Sequence, residues 1–550
     1  MDIILIIQLL KRIEVPDLDS SLDQTHKIKG SLLLKNAVGT VLLINMMLAV
    51  IAMLKDMFFA SYLGTSEAAD AFWLAFFIPD TFGNNLLGNS LAIACIPVFS
   101  KLCANNEYRR LKSTVTLTAL SFLLATLLLF LGLLTARSIL LHKLGFGLDQ
   151  DALQQSLTMF VIMLPSILLF PAISIGTAAM QVHDRFNLPA LAPVMFNFVQ
   201  LTVVFYLYST SITVQAGIYF LSYSIPVAAA SMLVLIIFGL RKSNIGTISF
   251  PLGSEIRQVF EEVKKISKIF LPYLLIMLSL QVVYAVERYL ASTLETGSIA
   301  ALNYAFRIAQ APSWVFVAAL ITVIFPSMSK SVGLGLLEDF KNIFTRTLSL
   351  IFLITVPTAM CFYFLRIPII SILFQRGSFD MVSMQLTSKI LAGFALGVVS
   401  QGVILVCLRM FLALGQTFRA LFSFLLSASI NITLDFILVE YLGSAGLGYG
   451  ASIAALLNSI LLLYLLQKTL KFSLKPQLLN FFRTCLASLS LLPVLFIFYH
   501  FWFLLVSATS FSLLKILYVL LFLLAVLTVY WWSLRILRVD VANVFKGGES

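Results

Sequence analysis

Charged side chains interrupt several long apolar stretches of this sequence, and they carry most of its possible chemistry. Lys55 and Asp56 are neighbours in the first of these stretches. A charge in the middle of a membrane helix costs about 2.5–3.5 kcal/mol, so it usually marks a binding or transport pathway. Because adjacent residues of a helix point about 100° apart, we expect Lys55 and Asp56 to neutralise each other poorly and to need another partner or a water-filled cavity. The alternative for Lys55 is that its ammonium reaches the outer surface.

Arg307 lies several residues inside another apolar stretch. Arginine stays charged in proteins, and its planar fork fits phosphate oxygens. In a central cavity Arg307 would bind an anionic head group. The alternative is a structural arginine that pairs with Glu287 or Asp56.

A second set of polar residues could hold a cation. Glu287 and Arg288 are adjacent in the seventh apolar stretch, whereas Asn431 and Asp435 lie four residues apart in the eleventh. Residues with that spacing share one face of a helix. Carboxylate and amide oxygens suit hard cations, so Glu287, Asn431 and Asp435 predict a possible Na⁺ site. Two alternatives are a proton relay and carboxylates that simply pair with Arg288.

The sequence shows no pattern typical of a catalytic centre. No nucleophile accompanies a base, no glycine-rich phosphate-binding loop precedes a lysine, and no long outer loop carries acids or histidines. The five cysteines are scattered without a CxxC pair, so we expect neither disulfides nor a metal at them. We therefore predict that the protein is not an enzyme and has no cofactor apart from the possible Na⁺.

The elements that must position these residues are membrane helices. Of the 550 residues, 60% are apolar and only 11% are charged, against about 25% charged residues in soluble domains. Solid apolar stretches predict helices, because backbone exposed to lipid must satisfy its own hydrogen bonds. We predict an all-α membrane protein with about 14 transmembrane helices of roughly 20 residues or more. The predicted spans are 38–62, 70–98, 113–135, 153–181, 188–209, 216–240, 267–292, 298–325, 345–365, 383–411, 418–440, 446–467, 482–503 and 511–534.

The net charge of +12 reflects orientation in a membrane and not nucleic-acid binding. Lys and Arg are concentrated in the loops on one side of the predicted spans, and this bias is typical of cytoplasmic loops. We therefore predict cytoplasmic N- and C-termini and no nucleic-acid partner. The basic residues on the outer side are Arg137, Lys143, Arg366 and Arg376.

The predicted spans form two related halves. Three short strings recur in order at a nearly constant offset: Ala60-Ser61 as Ala291-Ser292, Ala75-Phe76 as Ala305-Phe306, and Ile96–Lys101 as Phe325–Lys330. This repeat predicts two pseudo-symmetric six-helix bundles around a central site, as in transporters that rock one bundle against the other. The predicted domains are an N-terminal cytoplasmic or interfacial segment (1–34), the first bundle (35–242), an amphipathic inner-surface linker (243–266), the second bundle (267–470), and two extra helices with a cytoplasmic tail (471–550).

Several strings, taken in order, resemble the MurJ/MviN family of lipid-linked oligosaccharide flippases. They are Lys55-Asp56, Ala60–Gly64, Ala69–Phe72, Ala190–Asn197, Leu290–Ser298, Leu302–Arg307, Phe325–Lys330, Leu373–Phe379 and Gly446–Leu466. The resemblance implies that the protein flips lipid II, the undecaprenyl-pyrophosphate-linked cell-wall precursor, from the inner to the outer leaflet. It also implies location in the bacterial inner membrane, alternating access, a cationic central cavity for the pyrophosphate and a groove in the last two spans for the lipid tail.

The resemblance implies roles for individual residues. The implied cavity residues are Lys55, Asp56, Asp70 and Arg307. The implied Na⁺ ligands are Glu287, Asn431 and Asp435, with Ala451 in place of a family hydroxyl.

The cavity departs from the family pattern. Ala49, Gly83 and Asn84 stand in place of arginines, Asp80 in place of an Asn, and Gln310 in place of an acid. Either the cargo is less anionic than lipid II, or other cations such as Arg288 and Arg376 compensate. Arg288 and Asp80 therefore join the predicted substrate-binding residues.

The expected partners are a lipid-linked oligosaccharide and membrane lipids, and the expected state is a monomer. Two alternatives within transport are a flippase for an O-antigen or capsule unit and a cation-coupled drug exporter. A membrane enzyme such as a polysaccharide polymerase or ligase would need a sizeable outer loop with catalytic side chains, and the sequence contains none.

Overall fold

The computed structural model describes residues 24–242, 249–253, 255–317, 335–508 and 513–537, together with the isolated positions 320, 321, 324, 328, 331 and 332. Within these ranges every regular element is a helix. The α-helices are α1 (Gln24–Leu63), α2 (Glu67–Pro79), α3 (Ser90–Ala104), α4 (Tyr108–Leu144), α5 (Gln150–Met163), α6 (Phe170–Gln181), α7 (Asn187–Ser209), α8 (Val214–Lys242), α9 (Glu255–Ser292), α10 (Ser298–Pro312), α11 (Leu337–Phe364), α12 (Arg366–Phe374), α13 (Met381–Ala413), α14 (Thr417–Leu442), α15 (Ser444–Leu470), α16 (Lys475–Leu489), α17 (Leu492–Ala508) and α18 (Leu513–Ile536).

The all-α membrane fold is confirmed. In the described part of the chain, 13 helical stretches are long and apolar enough to cross a membrane, and they follow the predicted spans in order. The predicted eighth span, 298–325, is the one without a counterpart among them. There α10 continues as a π-helix, Ser313–Val317, and most of the remaining span lies outside the described residues, as does most of the repeated string Phe325–Lys330.

The first helix is longer than predicted. It begins at Gln24, so the end of the predicted N-terminal segment continues the helix instead of preceding it. The lysines and leucines that follow Gln24 are strong helix formers, so the helix extends beyond the apolar stretch that enters the membrane. Within α1, Leu43–Leu63 is the part that qualifies as a membrane span.

The predicted inner-surface linker is mostly the start of α9, which runs unbroken into the seventh span. Its Glu262 is buried and accepts hydrogen bonds from Arg110 at 2.9 Å and from Lys265 at 3.0 Å. Nearby, Ile266 and Phe270 pack into an apolar cluster with helices α3 and α4. The start of α9 therefore packs against the first half instead of lying flat on the leaflet, and residues 243–248 and 254 lie outside the described ranges.

A π-helix interrupts a span at similar positions in the two halves. One follows Pro79 and covers Asp80–Asn89, and the other follows Pro312 and covers Ser313–Val317. A proline inside a helix removes one backbone hydrogen bond and displaces the preceding turn, which favours such irregular geometry. The two interruptions start 233 residues apart, close to the offset of the repeated strings.

The largest apolar cluster joins both halves at one end of the molecule. It contains Phe59 and Phe72 from the first half and Tyr304, Phe374 and Phe379 from the second. We call this end, where the loops 64–66, 145–148 and 293–297 lie, the outer end, following the loop charges. Because the shared core lies at this end, it fixes the position of α1 against α10.

Candidate functional site

Three predicted charges meet between α1 and α10. The Lys55 ammonium lies 3.3 Å from Asp56 Oδ1, and the Arg307 guanidinium lies 3.3 Å from Asp56 Oδ2. The Lys55 contact lacks hydrogen-bond geometry, as expected for adjacent residues, and Arg307 is the further partner that Asp56 needs. Lys55 is 4% exposed and so does not reach the outer surface, whereas the Arg307 side chain remains 25% exposed.

Aromatic rings complete this ion cluster. Arg307 lies over the ring of Trp73, 5.4 Å from its centroid, and Lys55 lies 5.9 Å from that of Phe59. Such cation–π contacts stabilise a cation that has left bulk water by about 0.5–2 kcal/mol. Trp73 belongs to α2 of the first half, so Arg307 contacts that half through two different helices.

A second cation crosses between the halves nearby. Arg288 of α9 stacks on Phe77 of α2 at 4.1 Å and donates to Tyr284 O at 3.0 Å and to Asn303 Oδ1 at 3.1 Å. Its Nε has no hydrogen-bond partner. Arg288 therefore has donor capacity left for an anion near Arg307.

The predicted cation ligands also come together. Glu287, Asn431 and Asp435 are all buried, the Asn431 side chain hydrogen-bonds to Glu287, and the two carboxylates interact electrostatically. Asp435 Oδ1 lies so close to Gly450 that a β-carbon there would collide with it. The helices α9, α14 and α15 thus surround one buried polar site in the second half, formed by Glu287, Asn431 and Asp435.

The outer ends of the two halves are sealed by a reciprocal contact. Gly377 packs so closely on the carbonyl oxygen of Ser61 that a β-carbon would collide with it, and Gly147 packs in the same way on the carbonyl of Ser292. Hydrogen bonds accompany both contacts: Ser378 N donates to Ser61 O at 2.8 Å, and Gly147 N donates to Ser292 Oγ at 3.2 Å. The glycines are 230 residues apart and the serines 231, so the seal follows the predicted repeat.

Asp70 lies in this seal and apart from the ion cluster. Its Oδ2 accepts from Gly297 N and its Oδ1 from Ala300 N, both at 2.7 Å. The carboxylate therefore caps the N-terminus of α10 from the other half, where an anion is favoured by the helix dipole. Asp70 is only 2% exposed and both of its oxygens are bonded, so it offers nothing to a cargo in this state.

Comparison with known proteins decides the family. The profile described as "MurJ: Lipid II flippase MurJ" matches residues 59–523, most of the chain. The chain belongs to the MurJ lipid II flippase family.

Relatives and solved structures agree with this membership. A "Probable lipid II flippase MurJ" of Rhizobium tropici is 25% identical over 411 residues, covering 74% of this chain and 76% of the relative. The "Lipid II flippase MurJ" of Burkholderia cenocepacia is 24% identical over 439 residues, 78% of this chain and 83% of the relative. A structure titled "Lipid II flippase MurJ, inward closed conformation" aligns with a TM-score of 0.71 and 22% identity, covering 90% of this chain and 99% of that one. A multidrug resistance MATE family transporter in an inward-facing conformation shares the fold at a TM-score of 0.67 and 16% identity, covering 79% of this chain and 98% of that one.

The departures from the MurJ pattern can now be located. Asp80 accepts hydrogen bonds from Asn84 at 3.2 Å and Asn85 at 3.0 Å within the π-helix, and it interacts electrostatically with Arg288 and Arg307. Asn84 therefore neutralises no cargo charge and instead holds an extra acid. Of the two cations that could compensate, Arg288 lies beside the ion cluster and interacts electrostatically with Arg307.

Arg376 lies elsewhere. It follows α12 beside Gly377 in the outer seal, and its guanidinium donates to Ile372 O at 2.8 Å. It is therefore placed at the outer end, away from the cations that meet between α1 and α10.

The side chains of this buried polar site in the second half fit the Na⁺ site that the MurJ resemblance implies. Asn431 Oδ1 and both carboxylate oxygens of Asp435 are buried without a hydrogen-bond partner. Buried oxygens without partners are costly, and a hard cation would satisfy them. Among the described residues, this site included, no group of three His, Cys, Asp or Glu side chains comes together, so the ligand set here is two carboxylates and one amide.

Sequence reasoning missed two kinds of polar contact. Between the halves, Thr81 donates to Gln281 at 2.9 Å and Tyr304 donates to Gly64 O at 3.2 Å. Within the second half, Asn303 accepts a hydrogen bond from Arg288. Neutral polar residues are common in membrane helices, so nothing in their spacing singles them out. Trp73 on α2 was a usable signal, because arginines often stack on tryptophan.

The geometry of Asp70 predicts a structural effect. We expect Asp70→Asn to lower the stability of the closed state by about 1–3 kcal/mol, because an amide nitrogen would face a backbone N–H. The measurement is the thermal midpoint in detergent. Glu295→Gln, an exposed acid in the adjoining turn, is the matched control, and equal midpoints for the two variants would contradict the capping role.

Proposed function

We propose that the protein transfers lipid II from the inner to the outer leaflet of the bacterial inner membrane by alternating access of its two halves. The observation that carries the proposal is the ion cluster of Lys55, Asp56 and Arg307 between the halves. These charges face protein and not hydrocarbon, and Arg307 remains partly exposed. Family membership supports lipid II as the cargo.

The cluster provides a binding mechanism for a pyrophosphate. Arg307 presents a fork for phosphate oxygens, and one of its nitrogens lies 3.3 Å from Asp56 Oδ2. A pyrophosphate that enters would compete with Asp56 for Arg307, and Asp56 would keep Lys55. Because Asp56 takes Arg307 back when the cargo leaves, binding stays reversible, as transport requires.

The outer seal supports the alternating-access part of the proposal. With Gly147 on Ser292 and Gly377 on Ser61, cargo near Arg307 has no direct route to the outer leaflet. Release there requires both contacts to separate. The π-helices after Pro79 and Pro312 lie in the two helices that contact each other through Asp70, and they offer points at which those helices can bend.

The proposal assigns Na⁺ as the coupling ion, held by Glu287, Asn431 and Asp435. When bound, Na⁺ would supply a positive charge that offsets two buried carboxylates and link transport to the sodium gradient. The three side chains themselves hold α9 and α14 at a fixed separation. The proposal also includes a monomeric protein with both termini in the cytoplasm that carries out no covalent chemistry.

Asp435→Asn tests the ion assignment. The change removes one carboxylate, so we expect transport to lose its dependence on Na⁺ while the protein remains folded. The measurement compares transport in NaCl and KCl, with thermal stabilisation by Na⁺ as a second readout. Glu440→Gln lies on the exposed part of the same helix and should leave the Na⁺ response unchanged. An unaltered Na⁺ response in Asp435→Asn would give that carboxylate a structural role only.

The cargo is tested in a cell whose own lipid II flippase can be depleted. We expect this protein to restore growth and shape, and we expect lipid II among the lipids that co-purify with it. No rescue, together with loss of a surface polysaccharide when the native gene is deleted, would assign the protein to another lipid-linked oligosaccharide instead. Efflux of cationic drugs without either effect would assign it to drug export.

A further inference from the structure

A cleft of about 1220 Å³ lies between the two halves toward their outer ends, away from the ion cluster. The end of α4, the following turn and the start of α5 form one wall, and α9 and α14 form the other. Apolar side chains line it from both sides, among them Leu157, Val282 and Phe436. Small-molecule sites usually have about 300–1,000 Å³, so this cleft has room for a longer ligand.

The cleft opens sideways into the membrane. Val282 is 46% exposed and Phe436 is 51% exposed, and both belong to membrane-spanning helices. At this depth the solvent is the hydrocarbon of the outer leaflet, not water. An apolar cleft that faces hydrocarbon is therefore filled most favourably by a lipid chain.

The polar rim indicates which lipid. His142 and Lys143 lie at the outer end of the cleft, and Asp151 lines the same end. A head group with a phosphate and a primary ammonium matches both signs of charge, because Lys143 can pair with the phosphate and Asp151 with the ammonium. A purely anionic head would leave Asp151 opposed to it, and a quaternary ammonium cannot donate a hydrogen bond to Asp151.

The corresponding place in the other half carries a group of aromatic rings, of which Phe205 is 52% exposed. There Phe58 packs against Phe205 at 5.2 Å and against Tyr208 at 5.7 Å, beside Gly377 of the outer seal. Phe205 and Phe436 are separated by 231 residues, the offset of the seal serines. One side of the seal is thus supported by aromatic rings, and the other side contains the cleft.

We propose that the cleft binds one phospholipid of the outer leaflet whose head group bears a phosphate and a primary amine, with an acyl chain lying between α5 and α9. Because its walls come from both halves, the bound lipid holds their outer ends together beside Gly147. This proposal goes beyond the flippase function and does not depend on the cargo.

Native mass spectrometry of the purified protein tests the head group. The probes are phosphatidylethanolamine, phosphatidylcholine and phosphatidylglycerol with identical chains, offered in equal amounts. We expect phosphatidylethanolamine to be retained about twofold to fivefold over the other two, in line with an exposed ion pair. Lys143→Gln should lower retention of all three lipids, and Asp151→Asn should remove the preference for phosphatidylethanolamine.

Matched variants control for charge and position. Arg137→Gln removes a cation of α4 outside the cleft, and Asp149→Asn removes an exposed acid next to α5; both should retain lipid like the wild type. Equal retention of the three lipids, or no difference between the rim variants and these controls, would overturn the head-group assignment. Competition by water-soluble phosphoethanolamine at equal concentration would overturn the role of the chain.

Filling the cleft tests its location. Ala285→Trp places a ring among the lining residues and should lower lipid retention severalfold, whereas Phe220→Trp, on an exposed face of α8, should not. If Ala285→Trp does not fold, Val286→Phe provides a smaller filling side chain. Undiminished retention in a folded filled variant would overturn the site. Because these measurements need no transport, their outcome is separate from that of the flippase proposal.

Discussion

Arg307→Ala should abolish transport of lipid II while the protein still inserts and folds. Arg307 is the exposed member of the buried ion cluster, so it is the cation that a pyrophosphate reaches. Removing one partner of a close charge pair costs about 2–5 kcal/mol, which corresponds to roughly 30-fold or more in cargo affinity. Folding should survive, because the apolar core that Phe59, Phe72 and Tyr304 share between the halves does not involve Arg307, and Lys55 remains 3.3 Å from Asp56.

The measurement is rescue of a strain depleted of its own flippase, with membrane levels determined by immunoblot. Arg366→Ala provides the matched control: this arginine stacks on Tyr363 at an outer edge and should be dispensable. Arg307→Lys should rescue only weakly, because an ammonium keeps the charge but loses the fork. Wild-type rescue by Arg307→Ala would remove this residue from the cargo site and with it the main support for the proposed mechanism.

The central charges could be predicted from sequence because the membrane makes them conspicuous. In a chain with 11% charged residues, Lys55, Asp56 and Arg307 stand out within apolar stretches, and the structure joins all three. The helical spans could be predicted for the same reason, because membrane hydrocarbon tolerates almost no other backbone structure. What the sequence left open was which partner Arg307 takes, since Glu287 and Asp56 were equally available.

Other features depend on tertiary contacts that no local pattern encodes. Asp70 and Asp56 are both acids near or within apolar stretches of the sequence. Their roles differ, because Asp70 caps α10 of the other half. The start of α9 is amphipathic, a pattern that fits both a leaflet surface and a protein surface, and burial of Glu262 by Arg110 decides for the latter. Periodicity identifies an apolar face but not what covers it.

The helix α10 connects the cargo site with the outer seal. Its N-terminus is held by Asp70 and follows Gly297, its middle carries Arg307, and its end at Pro312 leads into a π-helix. A displacement of either end of α10 is therefore transmitted along one rigid helix. Since a rigid helix transmits displacement, the seal and the ion cluster should respond to each other.

Gly147→Ala should shift the protein toward a state with open outer ends and reduce transport. A β-carbon at this position collides with the carbonyl oxygen of Ser292, which belongs to backbone and cannot rotate away. Overpacking of this kind costs about 1–3 kcal/mol, enough to change a conformational equilibrium by roughly fivefold to more than hundredfold. Separating the two halves removes the collision, so the substitution raises the free energy of the closed state only.

A cysteine that replaces Ser61 reports on the seal, because this residue is only 5% exposed when the seal is closed. We expect a membrane-impermeant maleimide added outside to label it faster when Gly147→Ala is also present, with the five native cysteines measured in a parent protein. Gly132→Ala is the matched control, since a β-carbon there meets nothing within 4 Å. Equal labelling rates in the Gly147 and Gly132 variants would mean that the glycine contact does not close the outer end. Faster labelling in Gly147→Ala with undiminished transport would mean that closure there is not part of the cycle.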